Sequence, residues 1–193
     1  MSQKATETNV EISVRKERAS DRAGIQSLLD AHMLSDGTWP PPYARSQGNL
    51  PDWLGELSTL GRWVALAGAR EMVGHVGVSP VDPDIEKSRM FCEFLDCEHE
   101  RLAEVGRLIV HPEFRRFGVS GLLTKRCIRD SVTSGHVPVA SALESAWASQ
   151  SMMLKFGWQI IGSVMGRRAK RPIVLLTPPQ KLVDAALSKP LEI

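Results

Sequence analysis

Val10, Ile12 and Val14 alternate with polar positions, the two-residue period of a strand with one buried face. The period then changes. Ser20-Asp21 offers a helix N-cap, and Ala23, Ile25, Leu28, Leu29 and His32 follow at helical spacing. Asp36-Gly37-Thr38-Trp39-Pro40-Pro41-Pro42 ends that helix and opens a long loop, and Asp52 to Leu60 reads as a short second helix ending near Gly61. Trp63–Ala67 and Met72–Val78 are apolar runs around Gly68-Ala69-Arg70-Glu71, a hairpin pattern. Near Phe91 the pattern does not choose between strand and helix. Glu104–Val110 predicts a strand and Pro112–Phe117 a turn. A long amphipathic helix then carries Val119, Leu122, Leu123, Cys127, Ile128 and Val132, closed by Gly135. Val137–Leu143 reads as a strand, Ala146–Phe156 as a helix stopped by Gly157, and Trp158–Val164 with Ile173–Leu176 as two further strands. The order β-α-α-β-β-β-α-β-α-β-β describes one mixed α/β domain over residues 10–177. A polar, disordered tail precedes it at 1–9. A C-terminal extension follows at 178–193, with a short helix over 180–188.

The chain has 193 residues and 42% hydrophobic content, enough for one sizeable core. Lys plus Arg is 24 against Asp plus Glu 22, a net charge of +2, which argues against a nucleic-acid partner. Cys92, Cys97 and Cys127 make an odd set without zinc-type pairs, as in a reduced, cytoplasmic protein. The N-terminus lacks an apolar signal segment, and no run approaches the ~20 apolar residues of a membrane span. His32, His99, His111 and His136 lack ligand spacing, so no metal is expected.

The chemistry concentrates between Glu104 and Leu123. A strand runs into a basic, glycine-containing turn that opens a helix, and the N–H groups at such a helix start attract phosphate. Arg115 and Arg116 add charge, and a guanidinium binds phosphate oxygens in a fixed fork. Gly118 lets backbone approach a ligand closely. These features alone describe an anion site at a helix N-terminus, or equally an ordinary strand–turn–helix with solvated arginines.

Val110-x-Pro112-x-Phe114-Arg115-x-x-Gly118-x-Ser120-x-Leu122-Leu123 resembles the acyl-CoA signature of the GNAT superfamily, an R/Q-x-x-G-x-G/A turn after the fourth strand. Gly157-Trp158 is similar to the family's G-F after its final helix. Asp36-Gly37-Thr38-Trp39-Pro40, Trp53-Leu54, Trp63-Val64-Ala65 and Val73-Gly74-His75-Val76 also resemble bacterial members. The resemblance implies the GNAT acyltransferase fold, a mixed, mostly antiparallel sheet flanked by helices. It implies acetyl-CoA as co-substrate and an amine of a small molecule or peptide as acceptor. Leu108, Ile109 and Val110 would lend backbone groups to the pantetheine arm. Arg115, Arg116, Phe117, Gly118, Val119, Ser120 and Gly121 would hold the diphosphate, with Ser120 standing where the family has a second glycine. Such domains often form homodimers.

Acyl transfer to an amine needs a base, an oxyanion-stabilising donor and a proton for the departing thiolate. Glu104 is the candidate base, because the same strand position holds the glutamate base in the superfamily's histone acetyltransferases. A strand-end carboxylate facing solvent is the bland alternative. The family's tyrosine acid falls at Met153 and its helix asparagine at Ala146, so both are missing. Tyr43, Ser149 and Ser151 are weaker substitutes, and Tyr43 reads better as an acceptor wall with Trp39. His75 reads as a core or substrate-facing histidine. Arg167, Arg168, Lys170 and Arg171 read as a solvated turn. Two other readings stay open: a transferase taking longer acyl chains from CoA or a carrier protein, as in acyl-homoserine-lactone and N-acyl amino acid synthases, and a non-catalytic acyl-CoA-binding module.

Overall fold

The computed structural model describes residues 11–36, 60–68, 71–83, 85–166 and 170–191. The tail 1–9, the loop with Trp39 and Tyr43, nearly all of the helix expected over 52–60, and Arg167 and Arg168 lie outside them.

Seven strands form one sheet: β1 (Ile12–Lys16), β2 (Gly61–Ala67), β3 (Glu71–Pro80), β4 (Leu102–Val110), β5 (Val137–Leu143), β6 (Gln159–Met165) and β7 (Pro172–Thr177). Their spatial order is β1-β2-β3-β4-β5-β7-β6. Every neighbouring pair is antiparallel except β4 with β5. That parallel pair needs a long crossover, which α3 (Val119–Thr133) supplies. The other described helices are α1 (Arg22–Asp36), α2 (Glu86–Leu95), α4 (Trp147–Lys155) and α5 (Gln180–Leu187). The ambiguous stretch around Phe91 is therefore helical: Ser88, Phe91 and Leu95 are its buried residues, at helical spacing.

Local chemistry sets the ends of these elements. A short 3-10 turn, Ala19–Asp21, leads into α1, so Asp21 caps differently from the simple N-cap expected. Its Oδ2 accepts from the Arg18 N–H at 2.7 Å, and both its oxygens bond the Arg15 guanidinium at 2.7 Å. The hydrogen-bonded Arg15 side chain holds this carboxyl below its ordinary range. α3 closes with Gly135 at φ 79, and a Cβ there would lie 2.3 Å from the Pro190 carbonyl oxygen. The C-terminal segment is thus packed onto the domain, and α5 buries Val183 and Ala186.

One cluster of buried side chains joins Val76 and Val78 of β3, Ala103 and Val105 of β4, and Val119, Leu123 and Cys127 of α3. Full burial of a side chain such as Leu123 stabilises by about 1.5–3 kcal/mol. α3 sits close because β3 has no side chain at Gly74, where a Cβ would lie 2.8 Å from Leu123 Cδ1 and 2.9 Å from Val119 Cγ1. A second cluster unites Phe91 and Leu95 of α2 with Leu102, Val137, Val139 and Leu175.

Two irregularities shape the middle of the sheet. β4 and β5 pair only at Leu102↔Val137, Ala103↔Pro138 and Glu104↔Val139, after which β5 pairs with β7 alone. Among the described residues, the β5-facing edge of β4 past Glu104 is without a strand partner. On the other edge, Gly77 pairs with Gly106 and His75 with Ile109, so β4 carries one extra residue. Such a bulge bends the strand. Arg107, inside it, has φ 52, a left-handed conformation uncommon outside glycine.

Candidate functional site

The end of β4 delivers the chain to the basic turn. A 3-10 turn, Pro112–Phe114, follows, with the Arg115 N–H bonded to the Pro112 carbonyl at 3.2 Å. Arg116 at φ 71 and Gly118 at φ 79 then bracket Phe117. Gly118 is the N-cap of α3 and has no side chain to satisfy the helix start. The first α-helical bond is from the Leu122 N–H to the Gly118 carbonyl at 3.0 Å. The N–H groups of Val119, Ser120 and Gly121 precede it and so have no carbonyl one turn back. A positive helix end beside alternating backbone conformations favours an anion.

The surroundings agree with that. Arg115, Arg116, Phe117 and Gly118 are exposed. An open depression of about 530 Å³ is lined by Pro112, Glu113, Arg115, Arg116 and Phe117. A Cβ on Gly118 would meet nothing within 4 Å, so a ligand can come directly against the backbone. Arg115 extends to the end of α1, with Nη2 3.3 Å from His32 Nδ1 and 3.3 Å from Ser35 Oγ. Glu113 supplies one negative charge against these two arginines. The donor set, the charge and the open backbone fit a diphosphate.

Glu104 stands at the fork where β4 and β5 separate, in the last pair they share. It is neither free nor facing bulk solvent. Lys87 Nζ of α2 lies 2.6 Å from Oε1 and 2.5 Å from Oε2, and Ser141 of β5 donates its hydroxyl to Oε1. The Glu104 and Lys87 side chains are 19% and 15% exposed. Both carboxylate oxygens are thus engaged by the Lys87 ammonium, and Oε1 by the Ser141 hydroxyl as well. Neither partner was read from the sequence. Lys87 near the start of a helix opposes the helix dipole, a misplacement that signals a partner once the helix is known. Nothing in the local sequence marks Ser141.

His75, expected in the core or facing an acceptor, is buried on β3 with protein groups against both ring nitrogens. It is 0% exposed, with Nε2 3.1 Å from Glu17 Oε2 and Nδ1 3.3 Å from the Arg107 carbonyl oxygen. Ile109 buries its side chain in the core, whereas Leu108 and Val110 are half-buried along the same strand. Met153 is 7% exposed and belongs to the α3-side core, so the tyrosine's position holds a packing residue. Ser149 and Ser151 are exposed on α4. Gln150 alone on that helix reaches back, donating to the Leu143 and Glu144 carbonyls at 2.9 Å each. Trp39 and Tyr43, expected at an acceptor wall, lie outside the described residues. Among the described residues no three His, Cys, Asp or Glu side chains gather as a metal group. Nor is any described helix long and apolar enough to cross a membrane.

Residues 87–165 match the family described as FR47-like protein. No curated protein matches the chain in sequence. The fold is similar to the ribosomal-protein-S18-alanine N-acetyltransferase of Escherichia coli, at a TM-score of 0.57 and 11% identity over 88% of this chain and 94% of that one. It is similar to an acetyltransferase of the GNAT family from Streptococcus pneumoniae, at a TM-score of 0.60 and 15% identity over 86% and 97%. The yncA protein of Salmonella typhimurium, solved with its cofactor acetyl-CoA, gives a TM-score of 0.60 and 15% identity over 86% and 91%.

Proposed function

We propose that this chain, which has the fold of GNAT acetyltransferases, is a member of that superfamily and an acyltransferase that moves the acetyl group of acetyl-CoA onto an amine. The observation that carries this reading is the start of α3: open backbone N–H groups, Gly118 in the left-handed region and two arginines around one depression. The acetyl-CoA complex of a protein with the same fold supports the choice of donor.

On this reading the turn from Arg115 to Gly121 binds the diphosphate of the donor. Leu108, Ile109 and Val110 offer backbone groups along the edge that β5 has left, where the pantetheine arm and thioester lie. Glu104 is the base, receiving the acceptor's proton once Lys87 has moved from its oxygens. The acceptor is a small-molecule or peptide amine, with Trp39 and Tyr43 near it. Attack of the amine on the thioester is direct, without an acyl-enzyme. Membrane and nucleic acid play no part, the compartment is the cytoplasm, and the domain is able to pair as a homodimer.

Isothermal titration with acetyl-CoA and CoA tests the reading. The intact protein binds both, and Arg115→Glu and Gly118→Trp bind neither while keeping the fold. A folded protein that ignores both ligands refutes it. Two observations favour a second reading, a non-catalytic acyl-CoA-binding module: Met153 fills the acid's position, and Lys87 occupies Glu104. Donor binding without CoA release across a broad amine panel selects that reading. Longer acyl-CoA and acyl-carrier donors in the same assay separate acetyl transfer from long-chain transfer.

A further inference from the structure

His75 is a buried imidazole whose role the transfer reading leaves unassigned. It lies on β3 beside the β4 bulge, with no exposed surface. Both ring nitrogens face acceptors: the Arg107 carbonyl oxygen at 3.3 Å from Nδ1 and Glu17 Oε2 at 3.1 Å from Nε2. Glu17 is itself placed from behind. Its N–H donates to the Arg62 carbonyl at 2.9 Å, and its Oε1 lies 3.6 Å from Arg62 Nε. Arg62, Glu17, His75 and the Arg107 carbonyl thus form one chain of contacts, running from β2 to the bulge.

The bulge is the part of β4 that needs outside support. Its extra residue leaves the ladder locally broken, and Arg107 is held at φ 52. Backbone in a sparsely populated region persists only when its surroundings over-determine it. The carbonyl of one trans peptide unit and the N–H that follows it point in opposite directions. Anchoring the Arg107 carbonyl on His75 therefore turns the Leu108 N–H away from the imidazole, and past Glu104 β4 shares no pair with β5 on its other edge.

We propose that His75, aligned by Glu17, is a positioning residue that aims the Leu108 N–H at the thioester carbonyl. This rests on the acyl-transfer reading and adds to it the group that sets the oxyanion donor. His75 touches neither substrate. It acts through one peptide plane.

Two variants separate positioning from packing because they rank oppositely. In His75→Asn the side-chain amide nitrogen lies where Nδ1 was, keeping the donor to Arg107 but leaving a cavity. In His75→Gln the amide nitrogen lies where Nε2 was, filling the space better but losing that donor. The readout is the infrared band of the thioester carbonyl in acetyl-CoA labelled with carbon-13 at that carbon and bound to the full chain. The wild type displaces this band to lower frequency than free acetyl-CoA. Asn keeps the displacement and Gln loses it, while CoA itself, which lacks the carbonyl, binds all three alike. Turnover with Gln falls by about a hundredfold, the loss typical of one oxyanion donor, with KM little changed.

Gln equal to wild type, or Asn as poor as Gln, overturns the proposal while leaving donor binding intact. A wild type that does not bind acetyl-CoA overturns the transfer reading as well. Should either variant fail to fold, nitrogen-15 spectra of the wild type decide: Nδ1 of His75 carries a hydrogen and couples to the Arg107 carbonyl carbon. An Nδ1 without hydrogen refutes the assignment.

Discussion

Gly118 and Gly106 form a matched pair for testing the turn. A Cβ on either would meet nothing within 4 Å, so Ala adds no clash at either site. Only Gly118 has a positive φ, at 79. Left-handed backbone costs a non-glycine residue about 1–2 kcal/mol. Replacing Gly by Ala also removes freedom from the unfolded chain, which stabilises by about 0.4–1 kcal/mol at a compatible site. Gly118→Ala should therefore be destabilised by a net of about 1 kcal/mol, a fall in Tm of about 2–4 °C for a domain of this size. Gly106→Ala should gain about 0.4–1 kcal/mol, so the two variants should differ by about 1–2 kcal/mol. Denaturant titration measures this difference, and isothermal titration with acetyl-CoA then measures binding on the same samples. If the backbone at Gly118 touches the diphosphate, its Ala variant should bind at least about tenfold more weakly, a loss of about 1.4 kcal/mol. Equal stability of the two variants refutes the conformational argument. A destabilised Gly118→Ala with unchanged affinity refutes the placement of the anion.

Three other perturbations have definite outcomes. Asp21→Ala should cost about 2 kcal/mol, because it removes charge-assisted bonds to Arg15 and the Arg18 N–H. Since the folded-state value of Asp21 is depressed, its stabilisation is complete above the ordinary 3.8 and is lost as pH falls toward the lower value. Acid titration of wild type against Asp21→Asn should show that slope only in the wild type. Glu104→Gln and Lys87→Met should each leave acetyl-CoA affinity within about threefold, and a double-mutant cycle on stability should give a coupling of about 0.5–3 kcal/mol. Turnover unaffected by Glu104→Gln would remove it as the base. Burial pushes the thiol of Cys127 up to about 12 and that of Cys97 to about 11. Alkylation of Cys127 at pH 8 should therefore follow global unfolding, and rapid labelling of the folded protein would contradict the packing under α3.

Much of the fold was legible because the apolar period changes cleanly. The alternation at Ile12 and Val14 and the helical spacing from Val119 to Val132 each correspond to one element. Residues 80–100 were not, since Phe91 and Leu95 face a core contributed by β4, β5 and β7, distant in sequence. The turn at Arg115–Gly121 could be located because its glycine, arginines and helix start are contiguous. The partners of Glu104 could not, because Lys87 and Ser141 come from α2 and β5. His75 reads from the sequence as an apolar-strand histidine with two candidate roles, and its partners, Glu17 and the Arg107 carbonyl, are not legible there because they come from distant parts of the chain.

The brief contact between β4 and β5 divides the sheet into leaves of four and three strands, joined along that line by three residue pairs. A guest entering between the leaves meets main-chain groups that no neighbouring strand has claimed, and seating it requires no ladder to be dismantled first. It would serve as the missing rung. The two leaves should accordingly exchange amide hydrogens more slowly along that margin once the gap is filled, while the ladders within each leaf change little.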